Sequence, residues 1–239
     1  MANQNLFIQI TQVKKKDYQY EEAMKTLRTN IQFSGSGLKV IMLTSTMPDE
    51  GKSETSSQLA ISMAQTEGRV LFIDADIRKS VLVSRFGFGQ QIYGLTQYLT
   101  GQKLLGDILY HTNLPNLDII FSGPMAPNPA ELLGEDAFAR LVEWARNEYD
   151  TIIIDTPPLG SVIDAAIISQ RCDGAILVVE SGALSYRLVQ KAKNQLERTG
   201  CRILGAVLNR VDMAGSGYYH RYYGKYSKYS KYYENESDK

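Results

Sequence analysis

The sequence predicts an α/β chain built on a doubly wound, mostly parallel sheet, and three observations carry that expectation. Short apolar runs rich in β-branched residues recur at 40–43, 70–73, 117–121, 152–154, 175–179 and 203–208. They are apolar on both faces, as strands covered by helices on two sides must be. Segments with apolar residues at helical spacing lie between them, so strand and helix alternate along the chain in the manner of parallel crossover units.

Taken in order, residues 17–33 read as a helix packed through Tyr20, Leu27 and Ile31, ahead of the first strand at 40–43. A turn then leads into a helix over 55–65. Strands follow at 70–73 and 117–121. Residues 135–149 place Phe138, Leu141, Val142 and Ala145 on one helix face, with Trp144 as packing. After strands at 152–154 and 175–179, a helix over 186–198 stops at Gly200, a residue free to take the left-handed conformation that ends helices. The run at 203–208 is the last strand.

Composition narrows the class. Of 239 residues, 44% are apolar and 22% charged, which excludes wholesale disorder, a fibrous repeat and a small disulfide scaffold. Lys plus Arg equals Asp plus Glu at 26 each, so no nucleic-acid partner is expected from bulk charge. Cys172 and Cys201 read as reduced thiols of the cytoplasm, and the isolated His111 and His220 form no metal-ligand spacing. No apolar stretch approaches the roughly 20 residues that cross a bilayer. A cytoplasmic protein is expected, reaching the membrane only through a partner.

Tyrosine breaks the pattern. Eight of the 15 fall in the last 22 residues: Tyr218, Tyr219, Tyr222, Tyr223, Tyr226, Tyr229, Tyr232 and Tyr233. The chain therefore divides into an N-terminal helical segment (1–37), a nucleotide-binding domain (38–212) and a tyrosine-rich tail (213–239) expected to be disordered, with nothing aliphatic to bury.

Between the first strand and first crossover helix stands Thr44-Ser45-Thr46-Met47-Pro48-Asp49-Glu50-Gly51-Lys52-Ser53. Backbone N–H groups and the positive end of a helix dipole meet an anion at such a junction. Lys52 would reach β- and γ-phosphates and the Ser53 hydroxyl would ligate Mg²⁺. Thr46 occupies the place of the first glycine of the usual phosphate loop. Asp74 and Asp76 end the second strand and Asp155 ends another, so all three acids would converge where open α/β sheets bind ligands. ATP with Mg²⁺ is the expected ligand. Its contacts are assigned to Asp49, Glu50, Gly51, Lys52, Ser53 and Glu54, with Asn209 and Arg210 past the last strand.

With these motifs in place the sequence resembles the bacterial tyrosine kinases of capsular and exopolysaccharide biosynthesis, the CpsD-like family, over nearly its whole length. The segments TSTMPDEGKS, LFIDADIR with Asp74, Asp76 and Arg78, and IIIDTPP with Asp155 match its Walker A, A′ and B motifs; residues 128–133 and the tyrosine cluster fit as well. Asp49 stands where the family has glycine; if the loop demands positive φ there, aspartate is among the less costly replacements. Glu22, Lys25 and Arg28 match the self-association motif, with Lys25 in place of its first arginine. The resemblance implies a P-loop NTPase-like fold and autophosphorylation of the tail tyrosines, with Asp74 as base and Lys52 and Asp76 beside it. Ser53, Asp76 and Asp155 would hold the metal. It further implies a ring-like homo-oligomer, a membrane-anchored activator that recruits the protein to the inner face of the membrane, and a cognate tyrosine phosphatase. The alternative is a partition or cell-division ATPase of the same fold. Such loops carry an additional lysine where Met47 stands, and they lack a tyrosine tail.

Overall fold

The computed structural model describes residues 6–10, 18–66, 68–86 and 92–211. Strands β1 (Leu6–Ile8) and β2 (Val40–Ser45) flank helix α1 (Tyr18–Phe33), and α2 (Lys52–Ala64) leads to β3 (Val70–Asp74). Two short helices, α3 (Leu82–Arg85) and α4 (Leu95–Leu99), precede β4 (Leu109–Thr112) and β5 (Leu117–Ile120). Then come α5 (Pro129–Gly134), α6 (Asp136–Glu148), β6 (Thr151–Asp155), α7 (Asp164–Ser169), β7 (Gly174–Glu180), α8 (Tyr186–Arg198) and β8 (Ile203–Asn209).

The strands form one sheet in the order β1-β4-β5-β3-β6-β2-β7-β8. Every neighbouring pair is parallel except β4 with β5. Side chains alternate across a strand, and here the alternation feeds two cores. Ile41, Leu43, Phe72 and Ile153 pack on one side with Leu59 and Met63 of α2 and Ile31 of α1. Met42, Leu71, Ile73 and Ile154 pack on the other with Phe138 and Leu141 of α6, Ile168 of α7 and Leu196 of α8. Both faces are dry, so the doubly wound expectation holds.

Three local features differ from the sequence reading. Helix α2 begins at Lys52 rather than residue 55, because Gly51 takes φ 83° and turns the chain into the helix before any apolar residue marks it. Strand β8 runs through Asn209 rather than ending ahead of it. Strands β1 and β4 carry no long apolar run; β1 is held as an edge strand by pairing Leu6, Phe7 and Ile8 with Tyr110, His111 and Thr112. Gly200 caps the end of α8 at φ 79°, as the sequence suggests. Cys172 and Cys201 are free thiols, and Trp144 packs on Tyr149 edge to face at 5.7 Å.

Candidate active site

The carboxyl ends of β2, β3 and β6 lie side by side, and Asp74 pairs in register with Asp155 across β3 and β6. From β2 the chain enters the loop 46–51, with Asp49 at φ 66° and Gly51 at φ 83°. The Asp49 position does demand positive φ, which aspartate tolerates better than most residues; its side chain is exposed. Glu50 is buried, and its carboxylate accepts the backbone N–H of Met47 at 2.7 Å and of Glu180 at 3.1 Å. Its side chain therefore braces the loop against β7. Asn209 donates its amide to the Glu50 carbonyl at 2.9 Å, and a Cβ placed on Gly51 would stand 2.0 Å from that amide nitrogen. Arg210, at φ 55°, bonds Glu180 at 2.9 Å. Glu54 lies in the first turn of α2.

A second backbone contact sets the depth of the loop. Gly160 N donates to the Thr46 carbonyl at 3.0 Å, and a Cβ on Gly160 would meet that oxygen at 2.1 Å. Backbone cannot swing aside as a side chain can. Gly160→Ala should therefore destabilise the protein by about 1–3 kcal/mol and weaken ADP binding, read by thermal melting and titration with a fluorescent nucleotide. An unchanged melting temperature would mean that the loop yields freely.

The charged centre is almost entirely out of water. Lys52 Nζ lies 2.8 Å from Asp155 Oδ1 and 3.0 Å from Ser53 Oγ, and the Ser56 hydroxyl also donates to Asp155 Oδ1 at 2.8 Å. Asp155 Oδ2 is buried with no hydrogen-bond partner, as is Thr46 Oγ1. Asp74 has no solvent exposure. Burial first, and then the neighbouring Asp155 charge, push its carboxyl from 3.8 up to about 7, against the opposing pull of the Ser80 hydroxyl and of Lys52. Ser80 donates to Asp74 Oδ2. Asp76 is half-buried; its own backbone N–H donates to Asp74 Oδ1 at 3.2 Å, and its Oδ1 accepts the N–H of Lys79 at 3.0 Å.

The expected acids and Lys52 thus meet in one place, and the structure supplies partners that spacing did not single out, Asp164 for the motif residue Arg78 among them. Arg78 forks onto the buried carboxylate of Asp164, with Nε to Oδ2 at 2.7 Å and Nη2 to Oδ1 at 2.9 Å. That pair ties the loop after β3 to the loop after β6. Ser80 and Ser56 are likewise tertiary finds, although Ser56 stands one helical turn beyond Lys52 and so shares its face.

Elsewhere on the molecule, Lys25 bonds Glu22 at 2.6 Å on an exposed stretch of α1. Arg28 turns inward instead, donating to the carbonyl of Ser62 at 2.7 Å and to its hydroxyl at 3.1 Å. His111 is less isolated than its sequence position suggests: its Nδ1 lies 2.7 Å from Asp118 Oδ1. The eight tail tyrosines and His220 lie outside the described residues. No described helix is long and apolar enough to cross a membrane.

Comparison with known proteins places this geometry. Residues 38–200 match the family described as AAA domain. The chain is 47% identical over 204 residues to the tyrosine-protein kinase CpsD of Streptococcus agalactiae, covering 84% of this chain and 89% of that protein. It is 37% identical over 200 residues to the tyrosine-protein kinase etk of Escherichia coli K12, covering 83% of this chain but 27% of that longer protein. Among solved structures, the kinase domain of Escherichia coli ETK superposes with a TM-score of 0.75 at 36% identity, over 83% of this chain and 80% of that one. The septum site-determining protein MinD of Pyrococcus horikoshii, at 24% identity and a TM-score of 0.62 over 74% and 72% of the two chains, shares the fold alone. The partition-type alternative is accordingly the weaker. A sheet with both faces covered, a phosphate loop at its carboxyl edge and kinase relatives along most of its length lead to one conclusion: the chain belongs to the CpsD-like bacterial tyrosine kinases of capsular and exopolysaccharide synthesis, enzymes that use ATP.

Proposed function

We propose that this kinase transfers the γ-phosphoryl group of ATP to tyrosines of its own C-terminal tail, with Asp74 as the base. The observation that carries the reading is the environment of Asp74: buried, beside Asp155, with its proton affinity lifted close to neutrality. A phenol has a pKa of about 10, so it needs an acceptor as attack proceeds. Asp74 takes the phenolic proton while the new P–O bond forms and ADP leaves. A carboxyl near pH 7 is partly ionised there and is a stronger base than an exposed aspartate. Ser80 covers this carboxylate and turns aside for the incoming phenol.

Lys52 exchanges Asp155 for the phosphates, and the loop amides of residues 49–53 cradle them. Asp49, Glu54, Asn209 and Arg210 complete the nucleotide contacts, Asn209 chiefly by holding the loop. The donor set suits Mg²⁺: Asp155 Oδ2 is a buried acceptor without a donor, and Ser53 adds a hydroxyl on the adjoining turn. Asp76, on the loop after β3, would hold the ion through water. Mg²⁺ keeps several waters and takes only one or two protein carboxylates, and the chain offers Asp155 with Asp76 beside it. Bound there, the ion neutralises charge on the phosphate oxygens.

Assembly into a ring through Glu22, Lys25 and Arg28 would present one subunit's tail to the next. The inward turn of Arg28 leaves Glu22 and Lys25 as the outward part of that motif. A membrane-anchored activator recruits the kinase to the inner face of the membrane, and a tyrosine phosphatase reverses its action.

Incubating the purified full-length chain with Mg-ATP and mapping phosphate by mass spectrometry tests the reading. Phosphotyrosine is expected within residues 218–233 and absent from a Lys52→Met variant. ATP hydrolysis without any phosphotyrosine would support the regulatory ATPase instead.

A further inference from the structure

Four apolar side chains stand in solvent at the carboxyl edge of the sheet. Met125, Val81, Ile163 and Met47 follow β5, β3, β6 and β2, which are consecutive neighbours in the sheet. They are 75%, 43%, 52% and 40% exposed. Each adjoins a residue that ties the site together. Met47 follows Thr46, whose carbonyl holds Gly160. Val81 follows Ser80, whose hydroxyl covers Asp74. Met125 precedes Ala126, which donates its N–H to the Ile77 carbonyl at 3.1 Å. Ile163 precedes Asp164, gripped by Arg78. The four loops are thereby laced into one rim around the buried acids.

We infer that this apolar rim is the substrate-selecting surface of the kinase, seating the aromatic rings of a second copy's tail and so choosing tyrosine over serine. The inference rests on the tail being the substrate, and it adds which residues recognise it. Residues 218–233 carry eight phenol rings together with Arg221, Lys225, Lys228 and Lys231, and no acid. Beneath the rim lie the carboxylates of Asp74, Asp76 and Asp155, while Lys52 and Arg78 are committed to Asp155 and Asp164. Lys79 is the one cation of the loop after β3 without such a carboxylate among its described contacts. Set against Asp74 and Asp76 it leaves one formal negative charge, a small pull on a cationic ligand, so the rings carry most of the recognition. A tyrosine has an apolar body and a polar tip. Its ring fits against methionine sulfur and branched aliphatic carbons while the hydroxyl points down toward Asp74. Ser227 and Ser230 sit within the same cationic stretch, but a serine offers the rim no ring, and its short side chain leaves the hydroxyl at the rim. Contacts of this kind are not directional, which suits a repeat offering many tyrosines in similar settings.

Two fluorescent peptides covering residues 218–233 test this by binding alone. One carries phenylalanine at every tyrosine position and the other serine, so both keep the four cations and neither accepts phosphate on tyrosine. Titrated against the full-length chain, the phenylalanine peptide should bind at least about tenfold more tightly, a difference of about 1.4 kcal/mol. The Val81→Ser, Met125→Ser, Ile163→Ser triple variant should abolish that preference while affinity for a fluorescent ADP stays unchanged. Met125→Ser alone, at a side chain already mostly in water, should weaken the phenylalanine peptide about threefold without touching the fold. Equal binding of the two peptides to the unmodified protein would overturn the inference. So would a preference that survives in the triple variant, or a loss confined to ADP, which would give the rim to the nucleotide. Because the readout is binding, failure of phosphate transfer would discredit the base assignment and leave this result to be judged separately.

Discussion

Asp74→Asn should leave the kinase inert yet make the nucleotide-free protein more stable at pH 8. The activity half follows from losing the acceptor for the phenolic proton, a contribution of about 10²–10⁴-fold. The stability half follows from burial. A carboxyl whose folded pKa is raised from 3.8 to about 7 costs nothing below its unfolded value, because it is protonated in both states. As pH climbs through 7 the folded protein must ionise Asp74 in a dry site beside Asp155, and stability falls. About three units at roughly 1.4 kcal/mol each cap the penalty near 4 kcal/mol. Asparagine keeps a carbonyl for the Ser80 hydroxyl and carries no charge. The variant should therefore melt about 5–10 °C above the parent at pH 8, the gap closing as pH falls toward 4. A variant that melts at the parent's temperature at pH 8 would mean that Asp74 is hydrated or otherwise compensated. Retained phosphotyrosine would move the base elsewhere, with Asp76, two residues further along the chain, the next candidate.

Lys52→Met should destroy activity as well, but with the opposite effect on the fold. Lys52 and Asp155 are both buried and 2.8 Å apart. Removing one partner of a buried pair typically costs about 3–5 kcal/mol, because the other charge is stranded. Here Asp155 would keep only the Ser56 hydroxyl, with Asp74 facing it across the strands. Phosphotyrosine formation should drop by about 10³-fold or more, as for other losses of a preorganised charge at a reacting group. Denaturant melts at pH 8 without nucleotide check the stability term and phosphotyrosine blots the chemistry. Two inactive variants with opposite stability shifts would show that the site is a strained charge cluster, relieved by removing an anion and worsened by removing a cation. Shifts of one sign would refute that picture.

The sequence by itself determined the class of the sheet and the membership of the charge cluster. Apolar runs at 40–43, 70–73 and 152–154 need cover on both faces, and in an open parallel sheet whatever follows such strands meets at one edge. Lys52, Asp74, Asp76 and Asp155 were legible for that reason: each sits at a strand end or one turn away, so local pattern fixes global position. Tertiary structure alone decided the rest. Arg78 and Asp164 are 86 residues apart and meet only because β3 and β6 are neighbours. Glu50 and Asn209 bear on the phosphate loop through contacts with Glu180 and Glu50 that no spacing encodes. The inward bond of Arg28 to Ser62 likewise depends on how α1 lies on α2. Proton affinity at Asp74 is the clearest case, since burial and a neighbouring charge are properties of the folded surroundings and not of the residue. Periodicity reports which way a side chain faces; which partner waits there is set by packing between distant segments.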